Sequence, residues 1–239
     1  MNLRTRLLPG AGLPGELLGA VPVEQIRQSP DTPSAPYVLG DPGSPAPFPT
    51  LLIALFDDSG SVTGRGGNDP LAARYVEARH AFEVVAGRSV RRERGAVLHF
   101  DTPCSGDVPP VPLRGRARQI RRGLSCPRDA KGSSVLEPSL RRAVAMARAY
   151  PKHAATLLVL SDFLLLDQEP GEVLSGLAGF PGDVHAVVLG DHVPEGVLDS
   201  GIAITTITEA SPLGSVAHAV FAGLTIHRVE ASASPAERP

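Results

Sequence analysis

Five oxygen-bearing side chains in three separate segments have the types and spacing to hold a hard divalent cation. Asp57, Ser59 and Ser61 alternate in Phe56-Asp57-Asp58-Ser59-Gly60-Ser61. In a loop at a strand's end, that spacing lets one carboxylate and two hydroxyls converge on one point. Ser134 follows Gly132-Ser133, and Asp162 closes Leu157-Leu158-Val159-Leu160-Ser161-Asp162. Oxygen donors of this kind suit Mg²⁺ or Mn²⁺ rather than zinc. Two carboxylates roughly neutralise such an ion, and hydroxyls add ligands without adding charge. An ion held from one side keeps a coordination position for water, which a carboxylate from another protein can displace. The same residue types also build ordinary hydrogen-bonded turns; the agreement of three segments is what favours a cation.

The elements that must carry these residues read as alternating strands and helices. Leu51–Phe56 is an uncharged apolar run between Pro49 and a loop through Gly64, Gly66 and Gly67, the pattern of a central strand buried on both faces. Further strands are predicted at 95–101, 156–161, 184–189 and 202–207. Residues 107–113 form an edge strand, where Pro109, Pro110 and Pro112 discourage further pairing. Tyr37-Val38-Leu39 is a second candidate edge strand.

A helix is expected from Asp69-Pro70 to Gly87, with Leu71, Tyr75, Ala78, Phe82 and Val85 on its buried face. A basic helix follows at 114–123. Another runs over 136–150, with Leu140, Val144 and Ala147 inward and Ser134 and Glu137 as a capping box. Two more are expected near 170–179 and 213–224. This alternation predicts an α/β fold: a central, mostly parallel sheet with an antiparallel edge strand and helices on both faces. Asp57 and Asp162 then sit at strand carboxyl ends, where ligands collect in such sheets.

Composition narrows the field. The chain has 239 residues, 42% of them hydrophobic, and a net charge of −2, long enough for one α/β domain with extensions. That charge argues against a whole-protein design for nucleic acid, and the absence of Trp weakens any base-stacking role. Cys104 and Cys126 are the only cysteines, too few for a disulfide scaffold, although they remain a candidate pair. No stretch reaches the ~18 apolar residues of a membrane span. Arg4, Arg6 and Leu7-Leu8 look superficially like a signal peptide, but Pro9, Gly10, Pro14 and Glu16 interrupt the apolar run. A cytoplasmic location is the expectation. Residues 1–47 read as an N-terminal arm and Pro-rich connection, 48–225 as the main domain and 226–239 as a tail.

Phe56-Asp57-Asp58-Ser59-Gly60-Ser61, Gly95-Ala96-Val97-Leu98-His99-Phe100, Gly132-Ser133-Ser134-Val135-Leu136-Glu137 and Val159-Leu160-Ser161-Asp162, in that order, resemble the intracellular bacterial type of von Willebrand factor A domain. Val184–Gly190 is similar to that family's fifth strand. The resemblance covers roughly residues 48–225 and implies a Rossmann-like fold with a metal-ion-dependent adhesion site. It implies that Ser59 and Ser61 bind the metal directly, that Ser134 stands in for a usual threonine, and that Asp57 and Asp162 supply carboxylates, directly or through water. Mg²⁺ is the expected ion, with Mn²⁺ or Ca²⁺ as alternatives. The implied role is a non-catalytic adaptor that captures an acidic residue of a protein partner, such as an AAA+ ATPase or another component of a multi-protein system. Phe163 departs from the glycine common in the family, and a ring there is expected to alter the site's rim.

Enzymatic alternatives find less support in the residues. A phosphohydrolase with Asp57 as nucleophile wants a second acid two residues on, where this chain has Ser59. No G-x-S-x-G elbow, phosphate loop or H-E-x-x-H occurs, and the histidines read as isolated packed or surface residues. Two basic runs, Arg88/Arg91/Arg92/Arg94 and Arg114/Arg116/Arg118/Arg121/Arg122, read as solvated surface. A metal-independent scaffold that uses the arm or the arginine surface is the remaining alternative.

Overall fold

Uncharged runs dominate the middle of a six-stranded sheet. In the computed structural model, which describes residues 37–64, 73–191, 193 and 202–229, the strands are β1 (Thr50–Phe56), β2 (Glu93–His99), β3 (Val108–Pro112), β4 (Ala154–Ser161), β5 (Asp183–Leu189) and β6 (Ala203–Ile207). Their order across the sheet is β3-β2-β1-β4-β5-β6. Every pairing is parallel except β2 with β3. The helices are α1 (Gly60–Thr63), α2 (Arg74–Gly87), α3 (Leu113–Gly123), α4 (Glu137–Ala149), α5 (Pro170–Ala178) and α6 (Ser215–Thr225).

The period of two along β1 divides the core. Leu52, Ala54 and Phe56 face a cluster with Ala78 and Phe82 of α2, Ile120 of α3 and Val220 of α6. Leu51, Ile53 and Leu55 face the other side, against Leu140 and Ala143 of α4 and Leu174 and Leu177 of α5. Each of the Leu, Ile, Val and Phe side chains contributes ~1.5–3 kcal/mol by leaving water. Because β1 is covered on both faces, an unbroken apolar run suits it better than alternation. Strand order reverses between β1 and β4, so the crevice at their carboxyl ends is where Asp57 and Asp162 emerge.

Several expectations change. Tyr37–Leu39 is not a strand. Instead the Tyr37 ring lies edge-on to His80 at 5.5 Å and over Gly214, where an added Cβ would meet the ring at 2.4 Å. Packing on α2 and the start of α6 thus replaces sheet pairing. The basic helix α3 is interrupted at once, because Arg114, Gly115 and Arg116 are non-helical and Gly115 has φ +81°.

The capping box does not form. The helix α4 begins after Leu136, and no side chain at that N-cap bonds to it. The Leu136 and Glu137 N–H groups donate instead to the Asp167 carboxylate, at 2.9 Å each. That anion at a helix N-terminus does the work assigned to Ser134. Cys104 and Cys126 are both free. Among the described residues no helix is long and apolar enough to cross a membrane. The predicted helix start at Asp69-Pro70, the arm through residue 36 and the tail from residue 230 lie outside the described residues.

Candidate metal centre

The ladder of the sheet carries Asp57 into the crevice. Its N–H donates to the Leu160 carbonyl at 3.0 Å, one residue past the end of β1. The side chain is fully buried, and both oxygens are fixed. Oδ1 accepts the Ser59 N–H at 2.8 Å, and Oδ2 accepts the Ser161 hydroxyl at 2.6 Å. Burial pushes this carboxyl up from 3.8 to about 6; the bonds from Ser161 and Ser59 pull against that, and the charge of Asp162 adds to it. The two buried carboxylates therefore lie close enough for the charge of Asp162 to oppose ionisation of Asp57.

Ser59 precedes α1, and the Val62 and Thr63 N–H groups and the Thr63 hydroxyl all bond to its carbonyl. This single turn brings the Ser59 and Ser61 hydroxyl oxygens to 2.9 Å from one another. The two hydroxyls are hydrogen-bonded to each other, and their spacing is also that of adjacent ligands of an octahedral ion with ~2.1 Å bonds, about 2.9–3.0 Å.

Ser134 arrives from across the crevice. The N–H groups of Lys131, Gly132 and Ser133 converge on the Asp101 carboxylate, while the Leu166 N–H holds the Ser134 carbonyl at 3.0 Å. The Gly132 backbone runs beside the loop of Asp58 and Gly60: an added Cβ would lie 3.8 Å from the Asp58 carbonyl. Asp162 is buried, and its Oδ1 accepts the Leu164 N–H at 3.0 Å. Of the five residues only Ser61 is appreciably exposed. Among the described residues no group of three or more His, Cys, Asp or Glu stands ready for a metal. A cation here would take most of its ligands from serine hydroxyls and water, and the donor set fits Mg²⁺ chemistry.

Comparison with solved structures places the sheet and its helices in a known architecture. Three quarters of the chain (75%) superposes on a von Willebrand factor type A protein from Catenulispora acidiphila, with a TM-score of 0.54 at 14% identity. The chain has a von Willebrand A fold. The pilus adhesin SpaC from Lactobacillus rhamnosus GG is similar over 77% of the chain (TM-score 0.56, 16% identity). An aerotolerance-related membrane protein from Bacteroides fragilis is similar over 74% (TM-score 0.53, 10% identity). The chain spans 30% of the adhesin and 43% of the Catenulispora protein, but 99% of the Bacteroides structure. No protein-family model and no curated protein matches the sequence.

Within this von Willebrand A fold, Phe163 corrects the expectation about the rim. It is the one non-glycine residue among those described with positive φ, at 56°. This left-handed turn favours glycine. Here it aims the ring inward, leaving it 5% exposed among the core residues beneath α4 and α5. The rim is therefore free of it.

Sequence reasoning missed the hub beside the site. Asp58 is buried; its Oδ1 accepts Arg74 at 2.7 Å and the Tyr75 hydroxyl at 2.5 Å, and its Oδ2 meets His99 Nδ1 at 2.8 Å. His99 Nε2 continues the chain to the Gly123 carbonyl at 3.0 Å. Burial alone raises the Asp58 carboxyl, but hydrogen bonds from His99 and Tyr75 and the charges of His99 and Arg74 together hold it below its ordinary value. Asp57 and Asp58 are thus neighbours pushed in opposite directions. A charged Arg74 and a histidine inside an apolar strand were the available signals. His99 is packed, as the isolated-histidine reading expects, but it is also bonded at both ring nitrogens.

Proposed function

We propose that the domain is a Mg²⁺-dependent protein-binding module, an adaptor without catalysis of its own. The observation that supports this most is the Ser59–Ser61 hydroxyl pair, set at octahedral-edge spacing next to two buried carboxylates. In this reading Ser59, Ser61 and Ser134 offer neutral oxygens, and Asp57 and Asp162 supply the charge. Ser161 and the Ser59 N–H hold Asp57 in one orientation, while Asp101 and Asp167 hold the chain on both sides of Ser134. The bound cation would supply a Lewis-acidic position that a partner's carboxylate can occupy. The partner is an acidic segment of another protein in a multi-component system, with an AAA+ ATPase as one candidate class.

The test is affinity capture from native-source lysate with tagged wild-type protein and Asp162→Ala, each in Mg²⁺ and in EDTA. The variant's fold is verified first by circular dichroism. Proteins held by wild type in Mg²⁺ and lost in both other conditions are expected. Capture indifferent to EDTA and to the substitution would sink the metal bridge in favour of a metal-independent scaffold. Phosphatase activity that Asp57→Asn abolishes would favour the phosphohydrolase.

A further inference from the structure

The two arginine runs are not equivalent once folded. In the first, Arg88 pairs with Asp41, Arg92 donates to the Ala46 carbonyl, and Arg94 donates to the Pro110 carbonyl and lies over the Tyr150 ring. Only Arg91 of that run has no hydrogen bond, ion pair or ring contact among the described residues. In the second run Arg114, Arg116, Arg118, Arg121 and Arg122 are all exposed, and none of their guanidinium groups has such a partner among the described residues.

The backbone gathers three of these guanidinium groups. Pro112, the last residue of β3, pairs with Arg94 near the start of β2. The chain then turns through Arg114, Gly115 and Arg116 before α3 becomes regular. Arg91 stands just before β2, at the same end of the sheet. Arg91, Arg114 and Arg116, with Pro112 and Gly115, line an open cavity of about 310 Å³. Among the described residues no carboxylate lines it, although the whole chain carries 25 acidic residues against 23 basic ones, so the positive charge of this lining is local. Three like charges around one cavity repel each other, and an anion seated between them relieves that repulsion.

Guanidinium groups match the oxygen geometry of phosphate and can bind it through paired N–H donors. The cavity is at the small end for ligand sites. Among the described residues it has no aromatic ring or broad apolar wall for a base or sugar. Its arginines line one cavity rather than following a track, and the chain's net charge is negative, both unlike a surface for nucleic acid. We infer that Arg91, Arg114 and Arg116 form a docking pocket for a phosphate monoester on a protein segment, a phosphoserine or phosphothreonine. A dianion of that kind suits three cations better than a single carboxylate does. The pocket lies at the amino end of the parallel strands, opposite the metal centre, so it stands independently of the metal reading.

The test uses the full chain at pH 7.5 and 0.15 M salt, where weak non-specific charge contacts are screened. Probes are inorganic phosphate, a degenerate phosphoserine peptide library, its unphosphorylated counterpart and a 20-base-pair DNA duplex. Expected results are phosphate-dependent shifts of the Nε–H resonances of Arg91, Arg114 and Arg116, and at least tenfold tighter binding of the phosphorylated library than of its counterpart. Arg91→Gln, and separately the Arg114→Gln/Arg116→Gln pair, should each remove most of that difference, whereas Arg118→Gln leaves it within twofold. Equal binding of the two libraries, tighter binding of the duplex, or phosphopeptide binding that survives both sets of substitutions overturns the inference.

Discussion

Asp57 is a fully buried carboxyl whose ionisation opposes folding, and Asp57→Asn isolates that cost. Burial raises its pKa from 3.8 to about 6. A group raised in the folded state lends stability that is complete below its unfolded pKa and is lost as pH climbs through the folded one. The shift corresponds to about 3 kcal/mol at ~1.4 kcal/mol per pH unit. In EDTA, the stability of wild type relative to Asp57→Asn should therefore fall by about 3 kcal/mol between pH 3 and pH 7 and then level off. With a urea slope of ~2 kcal/mol per M, this is a relative midpoint shift of about 1.5 M. Taking the difference between the two proteins cancels the opposite contribution of Asp58. Mg²⁺ at a hundred times its Kd should return ~2.7 kcal/mol to wild type at pH 7.5 and nothing to the variant, with affinity weakening below pH 6 as protons compete. A wild-type-minus-variant difference that stays flat from pH 3 to 7 would falsify the account of Asp57.

Other substitutions read the supports of the site. Asp58→Asn removes the carboxylate shared by buried Arg74 and His99 and should cost about 3–5 kcal/mol in urea unfolding; a loss under 1 kcal/mol would mean the hub is replaceable. Asp167→Ala exposes the first N–H groups of α4. It should cost about 1–2 kcal/mol and speed hydrogen exchange at Leu136 and Glu137, and unchanged exchange there would count against the cap. Phe163→Gly recovers ~1 kcal/mol of left-handed backbone cost but gives up a buried ring worth about 3–5 kcal/mol. Net destabilisation of roughly 2–4 kcal/mol is expected; a more stable variant would show that the ring contributes little to the core.

Much of this molecule follows from the order of residues alone. An uncharged run such as Leu51–Phe56 has no stable place except between two covered faces. The abrupt change to Asp57, Ser59 and Ser61 marks where the strand ends and hard oxygen donors begin. These are local properties of period and polarity, and they survive without knowledge of what lies opposite. The partners of buried polar groups are different in kind. Asp167 caps α4 from 31 residues beyond Leu136, Asp101 clasps residues 131–133, and Asp58 gathers His99 from 41 residues away. Any hydroxyl or carboxylate of the right type would satisfy a local rule, as Ser134 does for the unformed capping box. Which one actually does so depends on the loops that the strand order β3-β2-β1-β4-β5-β6 brings together. The arginine pocket has the same origin: Arg91 and Arg114 are 23 residues apart in the chain, and the antiparallel return of β3 beside β2 leaves them on one cavity with no counter-ion among the described residues. Sequence determined where chemistry can occur; the sheet decided which charges compensate one another, because burial makes each unpaired group costly and only tertiary neighbours can offset it.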